Sequence, residues 1–200
     1  MFQKGHVIVI DDFIEKDYQE CIKLKLLGGF GKNNDYQDSD FPWFFAEDVT
    51  GAGDYDSQHR PAMAHQYVDY EDNSPSLVVS QFNELFLPLL RKVGVTLNRH
   101  TIDILQGRSF LQFPILKEKV EPDTPHIDIH NKFHIVALYY VLDSDGDTII
   151  YNERKESKEY TIKQKVSPKQ GRIVIFDGGL YHTAEQPLNN IRCIVNYNIE

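Results

Sequence analysis

His126, Asp128 and His182 are the residues of this chain whose types and order could bind a transition metal. Two imidazoles and one carboxylate can occupy one face of an iron octahedron, which leaves three positions open for a chelating ligand and O2. Residues two apart in an extended segment project to the same side, so one short stretch can offer His126 and Asp128 together. The pattern therefore predicts an Fe(II) site with open positions.

His126, His130 and His134 form a competing pattern, because on a helix residues four apart would make one stripe that could hold zinc. Pro125 precedes this segment and Ile127 is β-branched, and both favour extended backbone over a helix. We therefore predict that His130 lies at the rim of the pocket, where it could contact a substrate.

Arg192 follows His182 by ten residues and opens the last apolar run. Its planar guanidinium can grip a carboxylate through two parallel hydrogen bonds, as the distal carboxylate of 2-oxoglutarate would require. Alternation places Asn196 on the same face as Arg192, and an inward-facing Asn needs a partner, so we predict that Asn196 lines the same pocket. A surface Arg on an edge strand would look similar, but its distance from His182 favours the anchor. These residues predict an Fe(II)- and 2-oxoglutarate-dependent oxygenase.

The C-terminal half has the pattern of short strands separated by turns, which is typical of a sandwich or barrel. We predict strands at about 102–113, 124–130, 133–142, 147–152, 159–164, 172–177, 180–185 and 192–199. Eight strands suit a double-sheet jelly roll. The predicted fold class is mainly β with flanking helices, around a cupin-like double-stranded β-helix core.

The N-terminal half mixes apolar and polar segments. We expect a strand at Val7 to Ile10 and helices over about 15–27 and 76–93, the second interrupted by Pro88. We treat residues 1–200 as a single domain, in which 1–100 elaborate the N-terminal side and 101–200 form the catalytic core.

The stretch 31–75 is rich in Asn, Asp, Gly, Ser and Pro, and a loop of this length is either functional or disordered. Its aromatic residues argue against disorder. We predict a lid over the pocket in which Trp43 and Phe44 contact the substrate; packing of these rings onto the barrel is the alternative.

The formal net charge of −9 disfavours binding to nucleic acid or to an anionic membrane. It favours a cationic or neutral substrate over a polyanion. The chain has no apolar run long enough to span a bilayer and no export signal, so we expect a cytoplasmic protein, bacterial or phage-encoded and acting in the host cytoplasm.

Residues 104–199 resemble the Fe(II)/2-oxoglutarate dioxygenase domain of the prolyl 4-hydroxylase-like group, in the version found in marine bacteria and tailed phages. The resemblance runs through an ordered set of motifs, although an H-x-D triplet alone is common by chance. They are His126-Ile127-Asp128, Gly146-Asp147-Thr148, the run from Val166 to Phe176, His182, Arg192 and Asn196-Tyr197-Asn198. The resemblance implies a jelly roll that binds Fe(II) through His126, Asp128 and His182 and 2-oxoglutarate through Arg192.

This chain departs from that group at two positions. Arg192 stands where many animal and plant members have Lys, and Asp123 stands where they often have a Tyr that contacts the co-substrate. Another side chain must then supply the hydroxyl or amide, and Tyr139 and Gln112 are our candidates.

The resemblance implies oxidation of a substrate by O2, with 2-oxoglutarate converted to succinate and CO2. The substrate would be a peptidyl proline or another amino-acid side chain, and the usual outcome would be hydroxylation. Two alternatives stay open. One is the same chemistry on a small metabolite or nucleotide, and the other is a non-catalytic, cupin-like jelly roll that binds a metal or ligand.

Overall fold

Largely apolar runs that are buried on both faces build several of the central strands, such as Ile135–Tyr140 and Ile173–Asp177. The computed structural model describes residues 2–30, 35–49, 60–71, 76–114 and 122–200. Up to residue 100 its elements are β1 (Val7–Ile10), α1 (Lys16–Leu27), β2 (Gly29–Phe30), β3 (Tyr36–Gln37), β4 (Phe44–Ala46), β5 (Ala62–Asp69), β6 (Leu77–Val78), a 3-10 helix (Gln81–Phe86) and α2 (Leu87–Thr96). Beyond residue 100 they are β7 (Ile104–Gln112), β8 (Ile135–Tyr140), β9 (Thr148–Tyr151), β10 (Ile162–Val166), β11 (Ile173–Asp177), β12 (His182–Ala184) and β13 (Arg192–Ile199).

Most of the described strands form a large and a small antiparallel sheet, and β2 and β3 pair as a separate two-stranded sheet. The large sheet has the order β1-β11-β8-β13-β7-β5-β4, with β6 pairing to β5, and the small sheet has the order β10-β9-β12. In the C-terminal half, β7, β8, β11 and β13 belong to the large sheet and β9, β10 and β12 to the small sheet, so the chain crosses repeatedly between two facing sheets, as in a double-stranded β-helix. The predicted jelly-roll core is confirmed.

The two faces of the large sheet serve different purposes. On β13, Cys193, Val195 and Tyr197 pack into the core on the helix side, whereas Ile194 faces the small sheet. The same alternation holds on β8, where Tyr139 faces the helices and Tyr140 faces the small sheet. Because side chains alternate along a strand, one buried sheet can support both a packed core and a pocket.

Strands from the N-terminal half extend the large sheet at both edges. The edge strand β1 pairs with β11, and β5 lies between β7 and β4. The loop predicted over 31–75 is therefore wrong where it includes β3, β4 and β5. The rest of the predicted lid, 31–34, 50–59 and 72–75, lies outside the described residues.

The predicted strand at about 124–130 is also wrong, apart from one isolated bridge at His126. The segment stays close to the small sheet because that bridge and the hydrogen bond from Asp123 N–H to the carbonyl of Ala184 hold it. The second helix begins later than predicted, since Pro88 occupies the first turn of α2. Its missing N–H removes no helical hydrogen bond there. Among the described helices, none has the length and apolar character needed to cross a membrane.

Gly107 lies on β7 directly against Tyr197 of β13, and a Cβ at this position would stand 2.3 Å from Tyr197 Cε1. We expect Gly107→Ala to lower the free energy of unfolding by about 1–3 kcal/mol, because overpacking a filled core strains it. Equilibrium unfolding in urea measures this.

Gly94→Ala in α2 is the matched control, since its Cβ would meet its nearest neighbour at 3.4 Å. Ala is the better helix former by up to about 1 kcal/mol, so this variant should be neutral or more stable. An unchanged free energy for Gly107→Ala would contradict the close contact between β7 and β13.

Candidate metal centre

The bridge between His126 and His182 brings the predicted metal ligands together. The two residues exchange backbone hydrogen bonds of 3.0 and 2.9 Å, which places their rings side by side with centroids 4.8 Å apart. Asp128 follows two residues later and points to the same place. One ligand atom from each of the three residues lies within 4.8 Å of the others. The structure thus assembles a set of donors suited to one divalent metal.

Backbone carbonyls orient both imidazoles. Nδ1 of His126 lies 3.1 Å from the carbonyl of Thr124, and Nδ1 of His182 lies 3.2 Å from that of Leu180. A carbonyl can only accept a hydrogen bond, so each Nδ1 carries the proton and each Nε2 keeps a lone pair. The two Nε2 atoms lie 3.7 and 3.8 Å from the oxygens of Asp128, too far for hydrogen bonds. Such fixed tautomers are typical of metal-binding histidines.

Asp128 is a buried carboxylate held between two donors. Arg108 Nη2 donates to Oδ1 at 2.6 Å, and Asn196 Nδ2 donates to Oδ2 at 3.1 Å. Burial raises the pKa of Asp128, but the charge of Arg108, the two histidines and the bond from Asn196 outweigh it and hold the pKa well below its ordinary value. The carboxylate is therefore ionised, as a metal ligand must be.

Arg192 is buried at the other end of the same cavity and is fixed by three acceptors. Nε donates to the carbonyl of Gly146 at 2.9 Å, Nη1 to Gln112 Oε1 at 2.6 Å, and Nη2 to Thr148 Oγ1 at 2.9 Å. Thr148 also accepts a hydrogen bond from the hydroxyl of Tyr140 at 2.7 Å. The guanidinium is thus held in one orientation.

Gly146 is required at the turn beside Arg192. A Cβ there would stand 2.7 Å from the carbonyl of Glu185 and 3.0 Å from Cδ of Arg192. The Gly146-Asp147-Thr148 motif therefore contributes space for the arginine, a carbonyl that orients it and a hydroxyl that bonds it.

A cavity of about 300 Å³ joins these two ends. Several residues named from the sequence line it, with Gln112 next to Arg192, Asn196 next to Asp128, and His130 exposed at the rim. Leu138 and Ile194 supply apolar wall between the metal ligands and Arg192.

The sequence prediction for Tyr139 is wrong, because this ring packs into the helix-side core on the opposite face of the sheet. Its neighbour Tyr140 is the tyrosine near Arg192. Side chains alternate along β8, so only one of these two tyrosines can face the pocket, and the sequence alone does not show which one.

Trp43 and Phe44 are not among the described residues that line the cavity. Trp43 donates from Nε1 to the carbonyl of Leu26 at 2.9 Å and packs against the helix-side core, so its predicted substrate contact is wrong. Phe44 is 62% exposed on β4, with its ring 5.8 Å from that of His65. The alternative in which these rings pack onto the barrel is therefore supported for Trp43, whereas most of the Phe44 side chain stays exposed.

Sequence reasoning missed Arg108, although it stands four residues before Gln112 on one strand and therefore on the same face. It also missed a buried pair in which Arg60 Nε donates to Asp123 Oδ1 at 2.9 Å. Gln186 donates to both oxygens of Asp123. Burial raises the pKa of Asp123, and the bonds from Gln186 and Arg60 offset only part of this. No sequence signal links Arg60 to Asp123.

Comparison with known proteins identifies the fold of this chain. No family model and no curated protein sequence matches the chain. An oxidoreductase of the 2OG-Fe(II) oxygenase family from Burkholderia pseudomallei does match in structure, with a TM-score of 0.69 over 97% of this chain and 84% of that protein, at 11% identity. This chain has the fold of the 2-oxoglutarate- and Fe(II)-dependent oxygenases.

Two further structures place the same oxygenase fold in proteins with different reactions. A viral collagen prolyl hydroxylase from Paramecium bursaria Chlorella virus-1, solved with 2-oxoglutarate, has a TM-score of 0.56 at 12% identity over 96% of this chain and 94% of its own. The α-ketoglutarate-dependent epimerase SnoN from nogalamycin biosynthesis has a TM-score of 0.62 at 8% identity, over 98% and 78%. At these identities the likeness shows the fold and leaves the reaction open.

Removal of a ligand charge tests the metal centre. We expect Asp128→Asn to weaken Fe(II) binding by more than the roughly 10–100-fold that follows loss of an outer-shell partner, since a neutral amide replaces an ionised ligand. Anaerobic titration of metal-free protein with Fe(II) measures this. His130→Ala, at the rim of the same cavity, is the control and should bind Fe(II) as before. Equal losses in His130→Ala and His182→Ala would refute the ligand set.

The protonation of His182 gives a pH-dependent prediction for the metal-free protein. Burial lowers the pKa of His182 from 6.5 to about 4, with a further lowering from His126 and a partial offset from Asp128. The native state therefore binds this proton less readily than the unfolded chain. Its stability should fall as pH drops below 6.5, by on the order of 3 kcal/mol once pH 4 is reached.

Urea unfolding of metal-free wild type and of His182→Gln across this pH range checks the prediction. The variant should lose less stability between pH 6.5 and pH 4, because the titrating groups that do not interact with His182 contribute equally to both proteins. Parallel profiles would show that His182 is not the group responsible.

Proposed function

We propose that this protein is an Fe(II)- and 2-oxoglutarate-dependent oxygenase. One observation carries the proposal: a His-Asp-His donor set and a buried, oriented arginine share one cavity in the fold of that class. When bound, Fe(II) would supply activation of O2, coupled to conversion of 2-oxoglutarate to succinate and CO2 and to oxidation of a substrate.

Arg192 is suited to the distal carboxylate of 2-oxoglutarate. A guanidinium has five N–H donors, and the described partners Gly146, Gln112 and Thr148 use three of them. One N–H remains on each terminal nitrogen, so a carboxylate can accept two hydrogen bonds from this group. Thr148 accepts from Arg192 and Tyr140 and keeps its own hydroxyl hydrogen for the ligand.

The walls of the cavity fit the rest of this co-substrate. Leu138, Ile194 and Phe110 line the space between Arg192 and the metal ligands. Apolar side chains there can contact the two methylene groups of 2-oxoglutarate and exclude water from the reacting end. The hydroxyl that we predicted at Tyr139 would instead come from Thr148, which accepts a hydrogen bond from Tyr140.

Hydroxylation is the outcome we propose. The viral prolyl hydroxylase supports it as a protein of the same fold. An epimerase and a carbocyclase from nogalamycin biosynthesis also share this fold, so analysis of the product is part of the test.

Anaerobic addition of Fe(II) and then 2-oxoglutarate to metal-free protein should produce the weak visible charge-transfer band of the chelate. Admission of O2 should then release succinate, in slow uncoupled turnover even without substrate. Fe(II) binding without the band would reject 2-oxoglutarate as the co-substrate. A band without succinate would favour a ligand-binding jelly roll over an enzyme.

Arg192→Gln tests the co-substrate anchor. Hydrogen bonds to charged groups contribute about 1.5–3 kcal/mol, so the concentration of 2-oxoglutarate needed for half-maximal succinate release should rise by about 10–100-fold. The affinity for Fe(II) should stay within about threefold of wild type, since Arg192 makes no hydrogen bond or ion pair with the three metal ligands.

Arg99→Gln, the same exchange just beyond α2, is the matched control and should leave both values unchanged. Unaltered 2-oxoglutarate dependence in Arg192→Gln would remove Arg192 from the co-substrate site.

A further inference from the structure

Arg108 is a second arginine in the cavity, and it stands beside the metal ligands at the end away from Arg192. Its guanidinium donates through Nη2 to Asp128 and lies 5.4 Å from the ring of Phe110, which fixes its position. Within the described residues its Nε is buried and has no hydrogen-bond partner. A buried donor without a partner is costly, so this edge of the guanidinium is suited to a ligand.

Asn196 faces Arg108 across the β7–β13 pairing and presents the complementary atom. Its Nδ2 donates to the other oxygen of Asp128, and its buried Oδ1 has no partner among the described residues. The two side chains therefore flank one metal ligand and offer a charged donor and a neutral acceptor to the cavity.

The charges of the cavity show what kind of ligand would balance it, if the proposed function is correct. Asp123 is paired with Arg60, and Arg192 would be paired with the distal carboxylate of 2-oxoglutarate. The two charges of Fe(II) would be balanced by Asp128 and by the chelating carboxylate of 2-oxoglutarate. Because Asp128 would then be shared between the metal and Arg108, one positive charge in the cavity is left unbalanced, and a further anion beside Arg108 would balance it.

We propose that Arg108 and Asn196 bind the substrate, and that the substrate is a small carboxylic acid with an N–H or O–H donor next to its carboxylate. The Nε edge of Arg108 would take the carboxylate, as guanidinium groups commonly do, and Asn196 Oδ1 would accept from the neighbouring donor. This deepens the proposed function and rests on it. The net charge of −9 predicted a cationic or neutral substrate. The charge next to the metal ligands is that of Arg108, however, and it favours an anionic group at this position.

The test compares carboxylic acids with their primary amides. Protein is loaded with Ni(II), as a redox-inert substitute, and with 2-oxoglutarate, and binding is measured by calorimetry. The probes are N-acetyl-L-amino acids, which carry a carboxylate and a neighbouring N–H without chelating the metal strongly, each beside its amide. We expect at least one acid to bind at least about tenfold more tightly than its amide, since a charged hydrogen bond contributes about 1.5–3 kcal/mol.

Arg108→Gln removes the charge but keeps an amide that can donate to Asp128, and it should reduce the preference for the acid to less than about threefold. Arg108→Lys keeps the charge without the planar fork and should give an intermediate preference. Arg91→Gln, the same exchange on the exposed side of α2, should match wild type.

The loading step separates failure of this inference from failure of the proposed function. If wild type does not take up 2-oxoglutarate, the proposed function fails. If it loads but binds no acid, or binds acid and amide equally, only the assignment of Arg108 is overturned. It is also overturned if Arg108→Gln keeps the preference for the acid. The same holds if Arg108→Gln does not bind Ni(II) and 2-oxoglutarate while Arg108→Lys does, because Arg108 would then only orient Asp128. Tighter binding of O-phosphoethanolamine than of every acid would exclude a carboxylate as the anion.

Discussion

The buried charge of Asp128 is the constraint on which the site depends. An ionised carboxylate without partners would be strongly disfavoured in this interior, so each neighbouring group compensates for its burial. Arg108 and Asn196 bond to its two oxygens, while His126 and His182 aim their lone pairs beside it. These same contacts keep the carboxylate ionised and leave a space between three donors. The polar groups that stabilise the buried charge of Asp128 are therefore the same groups that suit it to bind a metal.

The large sheet makes this arrangement possible because its two faces are independent. On the helix side, β8 and β13 carry an apolar core in which aromatic rings such as Tyr67 and Tyr197 stack, with centroids 6.1 Å apart. On the other side the same strands carry Arg192, Asn196 and Tyr140. Packing on the first face fixes the backbone, and the fixed backbone determines where the polar side chains of the second face stand. A site on regular strands is for this reason more rigid than a site on loops.

Some of this could be predicted from the sequence because the signals are local. The H-x-D triplet, the alternation after residue 101 and the spacing from His182 to Arg192 each depend on short stretches of chain, and they predicted the jelly roll and several of the residues that line its cavity. What failed depends on tertiary context. Tyr139 and Tyr140 are adjacent, and the choice between them follows from which face of β8 is turned to the small sheet. The strand β5 lies in a stretch whose composition predicts a loop. It forms a strand because it pairs with β7, and neither segment alone indicates that pairing.

Arg192 shows a further consequence of the fold. Its three acceptors hold the guanidinium in place before any ligand arrives. A free arginine side chain loses about 1.5–2 kcal/mol of conformational entropy when it is ordered. Here that ordering accompanies folding and does not have to accompany binding. A dicarboxylate that enters the cavity would therefore find Arg192 already in place. Its binding free energy would include little entropic cost for ordering this side chain.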